Sequence, residues 1–148
     1  MNIFLDTNIL LDVLIEGRIH RDASLKIVNA AKNNPDLTAF VSVQSLSDIA
    51  FVFTNKKKTD QQKFHVPLKE MLAFLTLTTI STKASGESLK GDFPDFEDEE
   101  QLRCALEENC SYFITSDRQI LDTNPFDIKA VHPRDFLSMA SKTGRHQY

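Results

Sequence analysis

A single α/β domain, with a central parallel sheet of about four to five strands and helices on both faces, is the fold this sequence predicts. Two observations carry that prediction. Short apolar runs suited to strands buried on both sides alternate with longer segments of helical periodicity. The chain has 148 residues, enough for one substantial core and too few for two.

The elements follow in order. Residues 2–5 form an apolar strand, the polar turn Asp6, Thr7 and Asn8 follows, and the apolar segment 9–15 reads as a helix. A second helix is predicted over 20–32, stopped by Asn33, Asn34 and Pro35, and a second strand over 37–41. Ser42 and Ser45 are the candidate caps of a third helix, which carries Leu46, Ile49, Ala50 and Phe53 at helical spacing and runs to the lysines at 56–58. Residues 60–75 read as helix, broken or restarted at Pro67, and 77–80 as a third strand. Gly86 and the run Gly91, Asp92, Phe93 and Pro94 punctuate a loop, after which a helix is predicted over 95–109, a strand over 111–115 and a helical turn over 117–121. A last strand over 129–132 and a helix from Pro133 to residue 140 close the domain, which spans 1–140; the polar tail 141–148 has no apolar periodicity and is expected to be mobile.

Composition narrows the function. With 41% hydrophobic and 26% charged residues, this is an ordinary globular chain, its aromatic packing carried by eleven Phe and no Trp. The net charge of −4 argues against a general nucleic-acid coating protein, which would present a basic face, but not against an enzyme whose acidic site is neutralised by bound metal. Cys104 and Cys110 are too few and too weakly patterned for a disulfide scaffold or a zinc site, and read as buried free thiols. The opening run Ile3, Phe4, Leu5 is broken by Asp6 and does not resemble a signal peptide, so a cytoplasmic location is expected.

In a parallel sheet, ligands bind beyond the carboxyl ends of the strands, where the strand order reverses. Asp6 ends the first strand and Asp117 follows the strand through Ile114 after only Thr115 and Ser116, so both carboxylates fall on one rim. Asp98 shares a helical stripe with Leu102, Ala105, Leu106 and Asn109, which turns it inward and demands a partner. Its neighbours Glu97, Glu99, Glu100, Arg103 and Glu107 read mostly as a solvated face. Asp48, early in the third helix, is a fourth carboxylate able to overlook the rim. Taken singly, each aspartate is more often a turn or cap residue than a ligand. Together they suit a hard cation such as Mg2+ or Mn2+, which takes one or two carboxylates and keeps several waters.

At these residues the chain resembles the PIN domain nucleases, including the VapC toxins of bacterial toxin-antitoxin pairs. Phe4, Leu5, Asp6, Thr7, Asn8, Ile9 and Leu10 look like the family's first motif; Asp95, Phe96, Glu97 and Asp98 followed by Ala105 resemble its third; Ile114, Thr115, Ser116 and Asp117 resemble its fourth. The resemblance spans residues 2 to about 136. It implies metal binding by Asp6, Asp98 and Asp117, with Thr7, Asn8 and Thr115 or Ser116 lining the site. Asp95 shares the stripe with Asp98, which is the preferred ligand. Asp48 matches a position more often filled by Glu; being one methylene shorter, it would reach metal through water.

The function implied is metal-dependent cleavage of single-stranded RNA, leaving a 5′-phosphate and a 3′-hydroxyl, by the toxin of a toxin-antitoxin pair. Dimerisation and neutralisation by a small antitoxin inserting near the site are implied with it. Arg118, Arg18, Arg21 and the lysines Lys56, Lys57 and Lys58 are the candidate phosphate grips, although lysines at a helix end also serve solubility and the helix dipole. The four histidines have no ligand spacing and are assigned no metal. Two rivals stand beside this reading. A haloacid dehalogenase-type phosphatase also places Asp after its first strand, but expects Asp where Asn8 stands. A catalytically weak or inactive PIN-like module could hold RNA or a protein without cutting.

Overall fold

The computed structural model of the protein describes residues 1–56 and 62–142, and Lys57, Lys58 and the tail from 143 lie outside the described residues. Five strands form one sheet in the order β3-β2-β1-β4-β5: β1 (Asn2–Leu5), β2 (Thr38–Ser42), β3 (Thr76–Thr78), β4 (Tyr112–Ile114) and β5 (Lys129–Val131). Every pairing is parallel. The chain steps outward from β1 through β2 to β3, then crosses back to lay β4 against the other side of β1. The strand order therefore reverses between β1 and β4, which makes that edge-to-edge seam the place where a crevice opens.

Alternation along the strands divides the core. Ile3, Leu5, Val41, Ile114 and Val131 pack on one face with α1 (Thr7–Leu14), α2 (Arg21–Asn33), α3 (Val43–Phe51), α4 (Gln62–Leu72) and α8 (Pro133–Lys142). Phe4 and Phe113, stacked with ring centroids 5.3 Å apart, pack on the other with Leu102 and Ala105 of α6 (Phe96–Glu107) and Ile120 of α7 (Arg118–Thr123). Helices on both faces explain why the strands read as continuous apolar runs.

Several boundaries differ from the sequence reading for identifiable reasons. Pro67 does not break α4. The third helix ends at Phe51 and passes into a π-helical turn, Val52–Lys56, which the apolar spacing does not distinguish from α-helix. The loop expected around Gly86 contains a further helix, α5 (Thr82–Ser88), capped by the Ser81 hydroxyl, which accepts from the Ala84 N–H at 2.9 Å. Helix α8 continues to Lys142, two residues past the expected domain end. Among the described residues no helix is long and apolar enough to cross a membrane.

The charged face expected on α6 also needs correction at one position. Glu99 is buried, its Oε1 receiving the Arg103 guanidinium at 2.8 Å, and its carboxylate lies where a side chain at Gly91 would stand. Arg103 stacks over Phe126 at 4.9 Å and reaches Glu87 as well, so a charged pair rather than a solvated face locks this side of the helix. The apolar side is simpler. Leu102 is fully buried beneath Phe4 and Phe113. Leu102→Ala is expected to lower the unfolding free energy by about 2 to 5 kcal/mol, through lost burial and an unfilled cavity. Urea denaturation of both proteins measures it.

Candidate metal centre

The register of the sheet builds the site. Leu5 lies beside Ile114, and the Asp6 N–H continues the ladder by donating to the Ile114 carbonyl at 3.0 Å. Asp6 and Thr115 therefore leave the sheet at one level. Both are buried, and the Thr115 hydroxyl donates to Asp6 Oδ2 at 2.7 Å while accepting the Asp117 N–H at 3.0 Å. One hydroxyl thus ties the two strand-end aspartates together.

The two aspartates are held differently. Asp117 caps α7, its Oδ1 accepting from the N–H groups of Gln119 at 2.8 Å and Ile120 at 3.4 Å, which fixes the carboxylate and leaves Oδ2 free of the cap. Asp6 stands at the start of α1 without capping it. Burial pushes its pKa up from 3.8 to about 6; the Thr115 bond, the Thr7 N–H and the Asn8 side chain pull the other way, and the charge of Asp117 adds to the rise.

Asp98 sits in the first turn of α6, where Asp95 is the cap: Asp95 Oδ1 accepts the Asp98 N–H at 3.0 Å. Burial, reinforced by the charges of Asp6, Asp95, Asp117 and Glu97, raises the pKa of Asp98 from 3.8 to about 7. Those causes locate Asp98 among the rim carboxylates, while Asp95 serves the helix.

Asp48 is placed differently. It is half-buried on α3, takes a hydrogen bond from the Gln44 amide at 3.2 Å, and is the largest cause of the raised pKa of Glu97. Its charge is not among those that raise Asp6 or Asp98. Asp48 and Glu97 therefore feel each other's charge, and Glu97 is exposed, as the helical spacing expects. From the same helix, buried Ser45 bonds the Thr7 hydroxyl at 2.8 Å and Ser42 at 3.1 Å, anchoring α3 to the first motif. In the sequence Ser45 is legible only as a cap candidate.

Among the basic candidates, Arg118 is exposed at the start of α7, next to Asp117. Lys56 ends the π-helical turn, and Lys57 and Lys58 lie outside the described residues. Arg18 has a structural partner: its Nε donates at 2.6 Å to Asp12, which is buried and also takes the Ser24 hydroxyl at 2.9 Å. Ser116 is half-buried in the turn between β4 and α7. Cys104 and Cys110 are free and buried, their thiols pushed up by burial to about 11 and about 12.

Among the described residues no three His, Cys, Asp or Glu side chains are grouped closely enough to hold a metal ion between them. The donor chemistry nevertheless fits a hydrated hard cation. Asp6, Asp98 and Asp117 are oxygen donors whose charges act on one another, and magnesium or manganese needs only one or two carboxylates while keeping its waters.

Comparisons with known proteins identify the family and the fold. The family described as the PIN domain matches residues 2–119, and the chain belongs to that family. Its fold is similar to a chain in the crystal structure of VapBC2 from Rickettsia felis bound to a DNA fragment from the promoter, at TM-score 0.65 and 20% identity, covering 89% of this chain and 98% of that one. It is also similar to VapC20 of Mycobacterium tuberculosis, described as a sarcin-ricin loop cleaving toxin, at TM-score 0.65 and 10% identity, covering 86% and 98%. No curated protein matches the sequence.

The packing of charge has two measurable consequences. Because the pKa of Asp98 is raised, its contribution to stability is fully present below 3.8 and is lost as pH rises through about 7. Without metal at about pH 8, Asp98→Asn should be at least as stable as wild type, and the difference should vanish near about pH 4. Thermal melts in EDTA across this range test it, and a mutant clearly less stable at the higher pH would make Asp98 a structural acceptor. Arg18→Ala, by contrast, strands buried Asp12 and should cost about 1 to 3 kcal/mol in urea denaturation whether or not metal is present.

Proposed function

We propose that the protein is a metal-dependent endoribonuclease that cuts single-stranded RNA, with Asp6, Asp98 and Asp117 as the metal-holding carboxylates. The observation that carries this reading is that the Thr115 hydroxyl ties Asp6 to Asp117 while the charges of both act on half-buried Asp98, an arrangement that a divalent cation would relieve. Membership of the PIN domain family supports it. Magnesium or manganese bound there lowers the pKa of a coordinated water and neutralises charge on the phosphate undergoing attack.

The chain's own residues prepare the site. Asp117 is oriented by the N–H groups of α7, and Asp6 by Thr115, so hydrogen bonds of the fold restrain both carboxylates. Asn8 and Thr7 favour the charged form of Asp6. Arg118, exposed beside Asp117, is the first candidate to grip a phosphate oxygen of the strand; Lys56, Lys57 and Lys58 are further candidates on the strength of their sequence alone. Arg18 is the weaker candidate because Asp12 already holds its Nε. Single-stranded RNA is favoured over duplex because an extruded phosphate reaches a rim site more easily than one in a deep groove. Asp48 acts through water or through Glu97, in keeping with its outer position.

The reading extends to a toxin that acts as a dimer and is neutralised by a small antitoxin, as the resemblance of its motifs implies; membership of the PIN domain family and the likeness in fold to a chain of a VapBC complex and to a sarcin-ricin loop cleaving toxin support the toxin part. Asp48, engaged by the Gln44 amide and shorter than Glu at that motif position, favours one alternative, a PIN-like module that binds RNA or a protein without cutting. Purified protein should cleave unstructured RNA with magnesium or manganese and lose the activity in EDTA. Asp6→Asn and Asp117→Asn should each lower the rate by at least about a hundredfold, while duplex DNA remains a poor substrate. Undiminished cleavage by either variant would place the chemistry elsewhere, and RNA binding without turnover would establish the alternative.

A further inference from the structure

The unexplained charge on this rim lies beyond Asp117, at the carboxyl end of β5. Helix α8 begins immediately after that strand, and helix α2 begins beside it; their first turns meet through an edge-on contact of His20 with His132, ring centroids 4.7 Å apart. Each histidine precedes a helix, yet His20 makes no side-chain bond to the helix it opens. His132 Nδ1 accepts the Arg134 N–H at 3.2 Å, which leaves Nε2 as the protonated, donating nitrogen of the neutral ring. The Arg134 guanidinium reaches across to the Ile19 carbonyl at 3.4 Å and so clamps the two helix starts together.

Around this pair the charge is mainly positive. Arg134 and Arg118 both act on His132, as does His20, with Asp135 as the opposing carboxylate. Arg21 adds a third guanidinium at the first position of α2, accompanied by Asp22. Among the described residues neither Arg21, Arg118 nor Arg134 has a carboxylate within salt-bridge distance. Two donor-capable nitrogens, His20 Nδ1 and Arg21 Nε, are buried from solvent with no hydrogen-bond partner. Buried polar groups without partners are uncommon, and those here are cationic or neutral nitrogens at two converging helix N-termini, whose partial positive charge selects an anion.

We propose that His20, Arg21, His132 and Arg134, with Arg118 at the edge nearest Asp117, form a second phosphate-binding site that holds a phosphodiester of the RNA strand away from the one being cut. Arg118 connects the two sites, since it adjoins Asp117 in sequence and its charge is felt at His132. Burial is the main cause lowering the pKa of His132, followed by the positive charge of its neighbours; an anion seated there would offset the crowding of like charges. The strand would thus run from the carboxylates at the β1–β4 seam across the end of β5.

This inference rests on the proposed action on RNA, so its test reads binding separately from cleavage. A short fluorescein-labelled single-stranded RNA is titrated with wild-type protein, His20→Ala, Arg134→Gln and the control Lys32→Gln in EDTA over a range of salt, followed by anisotropy. Lys32 lies in the last turn of α2, at the opposite end from His20. His20→Ala and Arg134→Gln should each weaken binding about threefold to tenfold, and Arg134→Gln, which removes a fixed positive charge, should also flatten the logarithmic salt slope by about 0.7 for each phosphate no longer neutralised, while Lys32→Gln matches wild type. Arg134 is exposed, so Arg134→Gln keeps the test decisive even if His20→Ala unfolds. Affinities and slopes equal to wild type in Arg134→Gln, or no binding by wild type, would overturn the proposal. Weakened binding with no cleavage by any form would sustain this site and remove the nuclease reading, whereas cleavage with unchanged variant affinities would do the reverse.

Discussion

Leu5 runs beside Ile114 in parallel register, and the ladder continues one residue further through the Asp6 N–H, so β1 and β4 release their chains at the same height. Everything acidic at the rim depends on that coincidence. Thr115 turns it into a fixed geometry, because its hydroxyl serves Asp6 as donor and the Asp117 N–H as acceptor. A slip of one residue in this pairing would turn either Phe4 or Phe113 toward the wrong core and draw the two aspartates apart.

Electrostatics sets the cost of this arrangement. Buried Asp6 and half-buried Asp98 oppose ionisation, and the cap that starts α6, Asp95, adds another negative charge to the same end of the helix. The fold withstands this because the rest of the domain holds the elements in place: Leu102 and Ala105 bind α6 to Phe4 and Phe113, and Arg103 ties Glu99 and Glu87 on its other side. Such strain at a site supported by ordinary packing elsewhere is characteristic of functional rims.

Much of this is legible in the sequence because it depends on period and order. The apolar runs before Asp6 and Asp117, and the stripe through Asp98, Leu102 and Ala105, need only strand and helix geometry, and the described strands and helices place them accordingly. What escapes depends on contacts between distant segments. Glu99 looks solvated because nothing local announces that Gly91 leaves room for its carboxylate. Helix α5 is hidden because seven polar and small residues around Gly86 carry no apolar stripe. Asp48 falls at a motif position, but its half-burial and the effect of its charge on Glu97 depend on where α3 stands in the fold, which local spacing does not give. The histidines lack ligand spacing along the chain, and it is the packing of α2 against α8 that brings His20 to His132.

The central claim is that the crowded carboxylates await a divalent cation, and proton release on binding tests it most directly. Asp6 and Asp98 have pKa values near 6 and near 7, so at about pH 6.5 a cation must displace protons to occupy them. Manganese titrated calorimetrically into wild-type protein at that pH, in two buffers of different ionisation enthalpy, should bind with an observed heat that differs between the buffers by the enthalpy of the released protons. Saturable binding whose heat is the same in both buffers, or no binding, would contradict the account.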